Sequence, residues 1–467
     1  VVELVSLVAE LKSRVADLES KLGRTSKNSS VPPSRDPNAT REEAKLNRAQ
    51  RRAAGRRQGK QPGAEGHHLS QIADPHRRVV HRPSACAGCG RDLTGVAVTG
   101  SEKRQVFDLP PMAVEVVEHV AERVACSCGC VTAGVFPSEA TAPACWGPTV
   151  RALGLYLTHR QHIPVERAAE MMSDVLGAPV STGFLAGLAT EADARLVPFV
   201  GRVRELLATD AVIHADETSI RVSAQSWWLH VMANNRLTLL VCHRRRGREA
   251  IEAIDVLPGY RGVIVHDGLA AYDYLADALH AQCNAHLLRH LGGCLEHDDT
   301  RSWAARMTEV LLDAAATAKR TRKAGWAFVP DATAKRLRRR YRAAVAAAFK
   351  SLPEGRPPPR RNTGGWEPHQ RDAWNLAVRM RDGEADILRF LTDTRVPTTN
   401  NDAERPLRPA KLHDKISGTF RSENHAKAFA TIRSYLGTVA KHDKNLYQAL
   451  IELFTTGPWL PPEATPA

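Results

Sequence analysis

The sequence predicts an α/β protein: a mixed sheet with helices on its faces, preceded by a coiled coil and a zinc-ribbon-like module. Three observations carry this expectation. From Val212 onward, short β-rich runs alternate with helical ones in the order β-β-β-α-β-α-β. Residues 1–22 repeat in heptads, with Val1, Val8, Val15 and Leu22 at one position and Leu4, Leu11 and Leu18 at the other. Five of the nine cysteines fall between residues 86 and 130.

At 467 residues the chain is too long for one core, and several domains are expected. Its net charge is +14 and its pI about 9.6, which suggests a polyanionic partner. The charge is unevenly placed. Residues 1–60 hold fourteen Lys or Arg against seven acids, a net of +7. Residues 319–361 hold fourteen against Asp331 and Glu354, a net of +12. No run of eighteen apolar residues occurs, so no membrane span is expected. The amphipathic N-terminus lacks the apolar stretch of a signal peptide. A cytoplasmic location follows as the expectation, nucleoid-associated when the protein is on DNA.

In the heptad segment, β-branched residues at a with Leu at d favour a parallel two-stranded coil. An amphipathic helix packed on its own protein is the alternative. Residues 23–68 form a basic linker rich in Pro, Ser and Gly. Arg51, Arg52, Arg56 and Arg57 within it are expected to contact DNA phosphates.

Residues 69–140 carry a metal signature. Cys86-Ala-Gly-Cys89-Gly places two thiolates two residues apart, with a glycine that lets the backbone curl. Cys126-Ser-Cys128-Gly-Cys130 supplies the second half. A structural Zn²⁺ would take Cys86, Cys89, Cys126 and either Cys128 or Cys130. Residues 106–124 alternate as strands would. Cys145, Cys242, Cys283 and Cys294 lie singly and are expected in cores.

Residues 141–207 read as three amphipathic helices, the last capped by Ser181 or Thr182. A helix-turn-helix and a plain helical subdomain fit equally. Residues 208–440 then form the sheet domain. VIHADETSIRV, SWWLHVMAN and RLTLLVCHR make an antiparallel meander. GREAIEAIDVL is helical, GVIVHDG a strand, AAYDYLADALH helical, and HAQCNAH a last strand. A helical insertion covers residues 292–395, and its Arg338, Arg339 and Arg340 are expected on phosphates. In TTNNDAER, Asn401 or Asp402 caps a helix with Glu404 in its first turn. Arg405, Arg408, Lys411 and Lys415 surround that acid with cations. Residues 441–467 are a C-terminal helix and tail.

Asp216 sits in an apolar strand, where a carboxylate is costly unless paired or bound to a cation. Asp267 ends an apolar strand, where an α/β site is expected. With Glu404 they suit a two-metal site for Mg²⁺ (or Mn²⁺) acting on phosphates, with Arg405 and Arg408 neutralising phosphate charge. Asp267 could instead be a turn residue before Gly268, and Glu404 a helix-dipole acid. His286 is a possible accessory group, as proton donor or phosphate ligand. Glu217 alternates to the side opposite Asp216 and is left off the metal, and His214 has no assigned role.

Nearly end to end, the chain resembles the IS-66 family of bacterial insertion-sequence transposases. The matching pieces include KNSSVPPSRD, QPGAEGHH, HADET, WWLHV, VHDG, CNAHLLRHL, VPTTNNDAERPLRP and KISGTFRSENHAKAF. The resemblance implies an RNase H-like (retroviral-integrase-like) DDE catalytic domain with Asp216, Asp267 and Glu404 as metal ligands and a helical insertion before the Glu. The implied activity is cutting the ends of the element and joining them to target DNA. Implied partners are the terminal inverted repeats, target DNA, a homodimer or higher oligomer, and accessory proteins of the element. The CxCxC group departs from the family's more usual CxxC. A non-catalytic zinc-containing DNA-binding protein derived from a transposase is the rival expectation.

Overall fold

The computed structural model describes residues 69–110, 112–137, 139–357 and 365–463. The heptad segment and Arg51, Arg52, Arg56 and Arg57 lie outside the described residues. The chain divides into two compact units, residues 41–114 and a larger one holding residues 115–467. No helix among the described residues is long and apolar enough to cross a membrane.

In the smaller unit, described from Leu69, an amide side chain stands in for a strand partner. Gln105 accepts from the Ile72 N–H at 2.8 Å and donates to the Ile72 carbonyl at 2.7 Å. Further on, Ala85 and Asp92 form an antiparallel bridge that closes the Cys86 turn.

The larger unit begins with a hairpin, β1 (Arg123–Ala125) and β2 (Val131–Ala133). Strands were expected over residues 106–124, but only Arg123 and Val124 of that stretch are in one. Val106 and Val116 stay 91% and 89% exposed. Alternation specifies a strand where one side has a core to cover, and here neither side does. Cys145 is likewise exposed, not in a core; its loop offers it the Glu139 carbonyl at 3.3 Å instead of apolar packing.

Four helices follow: α1 (Pro148–Leu155), prolonged by a π-helical turn (Tyr156–Arg160), α2 (Val165–Leu176), α3 (Thr182–Arg195) and α4 (Val197–Ala208). Ser181 caps α3, accepting from the Phe184 N–H at 3.1 Å. The third expected helix is two, because Pro198 lacks a donor and fits only a first turn.

The central sheet has the order β5-β4-β3-β6-β7. Its strands are β3 (Val212–Val222), β4 (Gln225–Ala233), β5 (Thr238–His243), β6 (Val263–His266) and β7 (Leu279–Gln282). β3, β4 and β5 are the antiparallel meander, while β6 and β7 run parallel to β3. α5 (Arg248–Ile254) links the two halves. Residues 270–280 were expected as a helix, but only Ala270–Tyr272 makes a single 3₁₀ turn. The segment must return to the start of β6 to pair in parallel, and buried Tyr272 and Leu275 pin that return. Tertiary packing overrides its Ala- and Leu-rich propensity.

Five helices follow β7: α6 (Asn284–Cys294), α7 (Asp298–Lys323), α8 (Asp331–Ser351), α9 (Pro368–Asp382) and the short α10 (Glu384–Ile387), the last four lying within the insertion at 292–395. They share a core with Val263, Val265 and Ala281. α11 (Asn401–Ser417) and α12 (Glu423–Lys441) share another with Ile220, Val222, Leu229 and Leu240. α13 (Leu446–Thr455) ends the order. The period of two in β3 and its pairing with β6 put Val212, Asp216, Ile220 and Val222 on one side of the sheet. Asp216 therefore stands at the seam between the two cores.

Candidate acidic active site

Register brings the two aspartates together. Val212 pairs with Val263, Ile213 with Ile264 and His214 with Val265, a constant offset that carries Asp216 to Asp267. Asp267 lies one residue past the end of β6, where the chain leaves the sheet. Its carboxylate accepts from the Leu269 N–H at 3.0 Å, so Asp267 is at once a turn residue and a member of the acidic group. Gly268 makes that turn at φ +87°. Arg379 fills the space where its Cβ would be and donates to the Asp267 carbonyl.

Glu217 is part of this cluster, against the expectation from alternation. Carboxylate oxygens of Asp216, Glu217 and Asp267 lie within 4.8 Å of one another. β3 pairs with β6 only over Val212–His214, so past that point side chains of either face can meet around an open edge. Asp216 also folds back on its own strand, accepting from the Glu217 N–H at 2.8 Å. Arg246 donates twice to one Glu217 oxygen, at 2.9 and 2.8 Å, and the Tyr272 hydroxyl donates to the other at 3.1 Å. Burial, then the charges of Glu217 and Asp267, push the Asp216 carboxyl up to about 8. Burial and Asp267 also raise Glu217, with Arg246 pulling the other way.

Glu404 is in the first turn of α11, and side chains at two positions, Asn400 and Lys411, hold that helix to β3. Asn400, fully buried, donates from Nδ2 to the Ala215 carbonyl at 2.8 Å, and its Oδ1 meets His214 Nδ1 at 2.9 Å. Lys411 donates to the Ser219 carbonyl at 2.5 Å. Ala403, Leu407 and Ala410 make the buried stripe between these anchors. Asn400 is the N-cap residue, not Asn401 or Asp402, and its side chain is used on β3 instead of on the helix. Nothing in the helical pattern marked Asn400 or His214. The one available signal was the Asn pair itself, since an amide donates and accepts at once.

The charge of Glu404 bears on Asp216, but its nearest ligand-bearing neighbours are others. Glu404, Cys283 Sγ and His286 Nδ1 lie within 4.8 Å of one another, with Glu404 3.8 Å from His286. Cys283 Sγ accepts from the Asn400 N–H at 3.2 Å, which ties this group to the same anchor. Burial, then Arg289, lowers His286 to about 4. Two adjacent ligand groups thus exist, one of three carboxylates and one of thiol, imidazole and carboxylate. A cation fits the first: opposite charge relieves three half-buried acids at this spacing, and hard oxygen donors suit Mg²⁺ or Mn²⁺.

Arg405 and Arg408 are exposed on α11. In the insertion, Arg338 pairs with Glu384 at 3.1 Å and Arg340 with Asp313 at 2.5 Å, whereas Arg339 is exposed. The two cysteine turns resemble each other. In one, Gly90 donates to the Cys86 carbonyl at 2.9 Å; in the other, Gly129 donates to the Cys126 carbonyl at 2.9 Å. Backbone N–H groups of Cys89 and Gly88 lower the Cys86 thiol, and that of Cys130 lowers Cys128. Thiolates stabilised this way suit zinc.

These features define an α/β protein with a buried acidic centre where the sheet changes from antiparallel to parallel pairing. A family model described as "Transposase IS66 family" matches residues 144–428, which include Asp216, Asp267 and Glu404. Another, "zinc-finger binding domain of transposase IS66", matches residues 83–129, and a family of unknown function matches residues 1–70. The chain belongs to the IS66 family of transposases. It is also similar to "Uncharacterized protein y4hP" of Sinorhizobium fredii (strain NBRC 101917 / NGR234), at 25% identity over 150 residues, 32% of this chain. The chain spans 27% of that relative's length.

Proposed function

We propose that the protein is a DNA transposase of DDE type, which binds the ends of its element, cleaves DNA strands and joins them to target DNA. The observation that supports this best is the register that sets Asp216 beside Asp267, with Asn400 holding the Glu404 helix against the same strand. The antiparallel meander followed by parallel strands supports an RNase H-like catalytic domain over residues 208–440, interrupted by the insertion at 292–395. Residues 1–22 act as the dimerising coil, 23–68 as a basic linker, 69–140 as the zinc-binding domain and 141–207 as a helical subdomain. The zinc ligands would be Cys86, Cys89, Cys126 and either Cys128 or Cys130, and the zinc-finger family match covers all of these but Cys130.

Asp216, Asp267 and Glu404 would hold Mg²⁺ or Mn²⁺, which supplies Lewis acidity to the attacking and leaving oxygens. The rest is the work of the chain. Asp216, on β3, has Asp267 at the end of the neighbouring β6 and the Glu404 helix anchored to its own strand. Arg246 and Tyr272 keep Glu217 fixed beside them. Exposed Arg405 and Arg408 meet phosphate charge on the side of the Glu404 helix.

The test is strand cleavage of labelled element-end DNA with Mg²⁺ by the parent and by Asp216→Asn. Cleavage should be lost in the variant while DNA binding persists. Equal cleavage by both would sink the assignment of Asp216. Binding without cleavage under either Mg²⁺ or Mn²⁺ would favour the non-catalytic DNA-binding rival.

A further inference from the structure

Away from the acidic centre, α12 carries an arginine inside the protein without an acid. Arg433 is 7% exposed. Burial and the like charge of Arg160 are what act on it, lowering it to about 10, and no carboxylate pairs with it among the described residues. Its Nη1 donates to the His159 carbonyl at 3.0 Å, and its buried Nε has no partner. Arginine is almost never kept inside unless paired, because an uncompensated buried charge costs several kcal/mol.

The surroundings are a second arginine and imidazoles that burial holds neutral. His159, His162 and His413 ring Phe429, with centroids 6.3, 6.3 and 5.2 Å from it. Nδ1 of His162 and of His413 is buried with no partner. His425 and Arg433 lie one turn before and one turn after Phe429, on the same face of α12. Arg160 faces this group half-exposed and makes no ion pair among the described residues. The backbone is unusual here too. Gln161 N–H closes a π-helical turn on the Tyr156 carbonyl at 3.0 Å, and His162 takes φ 58°. Such turns and left-handed non-glycine residues concentrate at functional sites.

Arg433 Nε is a buried donor with no partner, no carboxylate pairs with this arginine among the described residues, and two imidazole nitrogens beside it are likewise unpartnered, so the pocket has room for an anion. Its mouth is open, since His425 is exposed and His159 and Arg160 are half-exposed. His413 lies nine residues beyond Glu404 on α11, about 13 Å along the axis, so the cluster is separate from the acidic centre yet within reach of the same duplex. We propose that Arg433, Arg160 and the histidines around Phe429 bind a phosphodiester of the DNA. The planar guanidinium and the imidazole donors suit a phosphate's oxygens. This inference rests on the reading of the protein as a DNA transposase.

The test uses the full chain and duplex element-end DNA in EDTA, with affinity measured across a salt series. Arg160→Ala with His425→Ala, at the open mouth, should weaken binding about tenfold on every sequence and flatten the log–log salt slope by about one. Arg433→Met should do the same while raising thermal stability, because it removes an unpaired buried charge; a purely structural arginine would instead lose stability. Unchanged affinity and slope in both variants would overturn this site alone. No DNA binding by the parent would overturn it together with the transposase reading. Loss of inorganic phosphate binding in the variants, with DNA binding intact, would assign the site to free phosphate and overturn the phosphodiester.

Discussion

Asparagine at Asp216 should stabilise the protein when no divalent cation is present, and should forfeit stability when one is. The Asp216 carboxyl is raised from its ordinary 3.8 to about 8, by burial first and then by Glu217, Asp267 and Glu404. Its folded-state value lies above the unfolded one. The contribution of this group is therefore fully present below about pH 4 and is lost as pH rises toward 8. At 1.36 kcal/mol per unit the whole shift is worth about 6 kcal/mol. An amide still loses hydration on burial, so only the part due to charge is relieved, about 2 kcal/mol. The substitution keeps an oxygen for the Glu217 N–H, now at 2.8 Å. Denaturant unfolding in EDTA is the assay. Asp216→Asn should gain about 2 kcal/mol at pH 8 and almost nothing at pH 4. Mg²⁺ at a hundred times its Kd should then stabilise the parent by about 2.7 kcal/mol and the variant far less. A variant less stable than the parent at pH 8 in EDTA, or one equally stabilised by Mg²⁺, would refute the reasoning.

Three further outcomes follow from the same geometry. Asn400→Ala removes the bonds to the Ala215 carbonyl and to His214 Nδ1; it should cost about 2–4 kcal/mol and lower cleavage at least about tenfold while Mg²⁺ binding persists. Full cleavage by that variant would show that Asn400 does not position Glu404. Gly268→Ala forces a side chain into φ +87° and against Arg379, so unfolding experiments should register a loss of about 1–3 kcal/mol, and cleavage should fall with it. Cys89→Ser should abolish stoichiometric zinc in elemental analysis; unchanged zinc would remove Cys89 from the ligand set.

Much of this was legible in the order of the residues. Short β-rich apolar runs bounded by polar or turn residues located β3, β4, β5 and β6, because a strand covered on both sides is apolar along its whole length. A carboxylate in the apolar run of β3 announced that it needed a partner. The interval between Asp216 and Asp267 had no meaning as a number; the pairing of β3 with β6 turned it into adjacency. Other features had no local signature at all. The Asn400–His214 contact joins residues 186 apart, and periodicity is silent over such distances. Glu217 joined the acids because β3 loses a neighbour past His214, a fact about β6 and not about β3. Residues 270–280 carry helical propensity yet are drawn out to meet β6, and residues 106–122 alternate with nothing to cover. The sequence by itself determined most of the strands and helices of the sheet domain and that Asp216 is out of place in its strand, since both follow from local apolar runs and the penalty of buried charge. Only the tertiary structure decided which acids meet and that Arg433 is buried without one, because both depend on chain segments that no local pattern brings together.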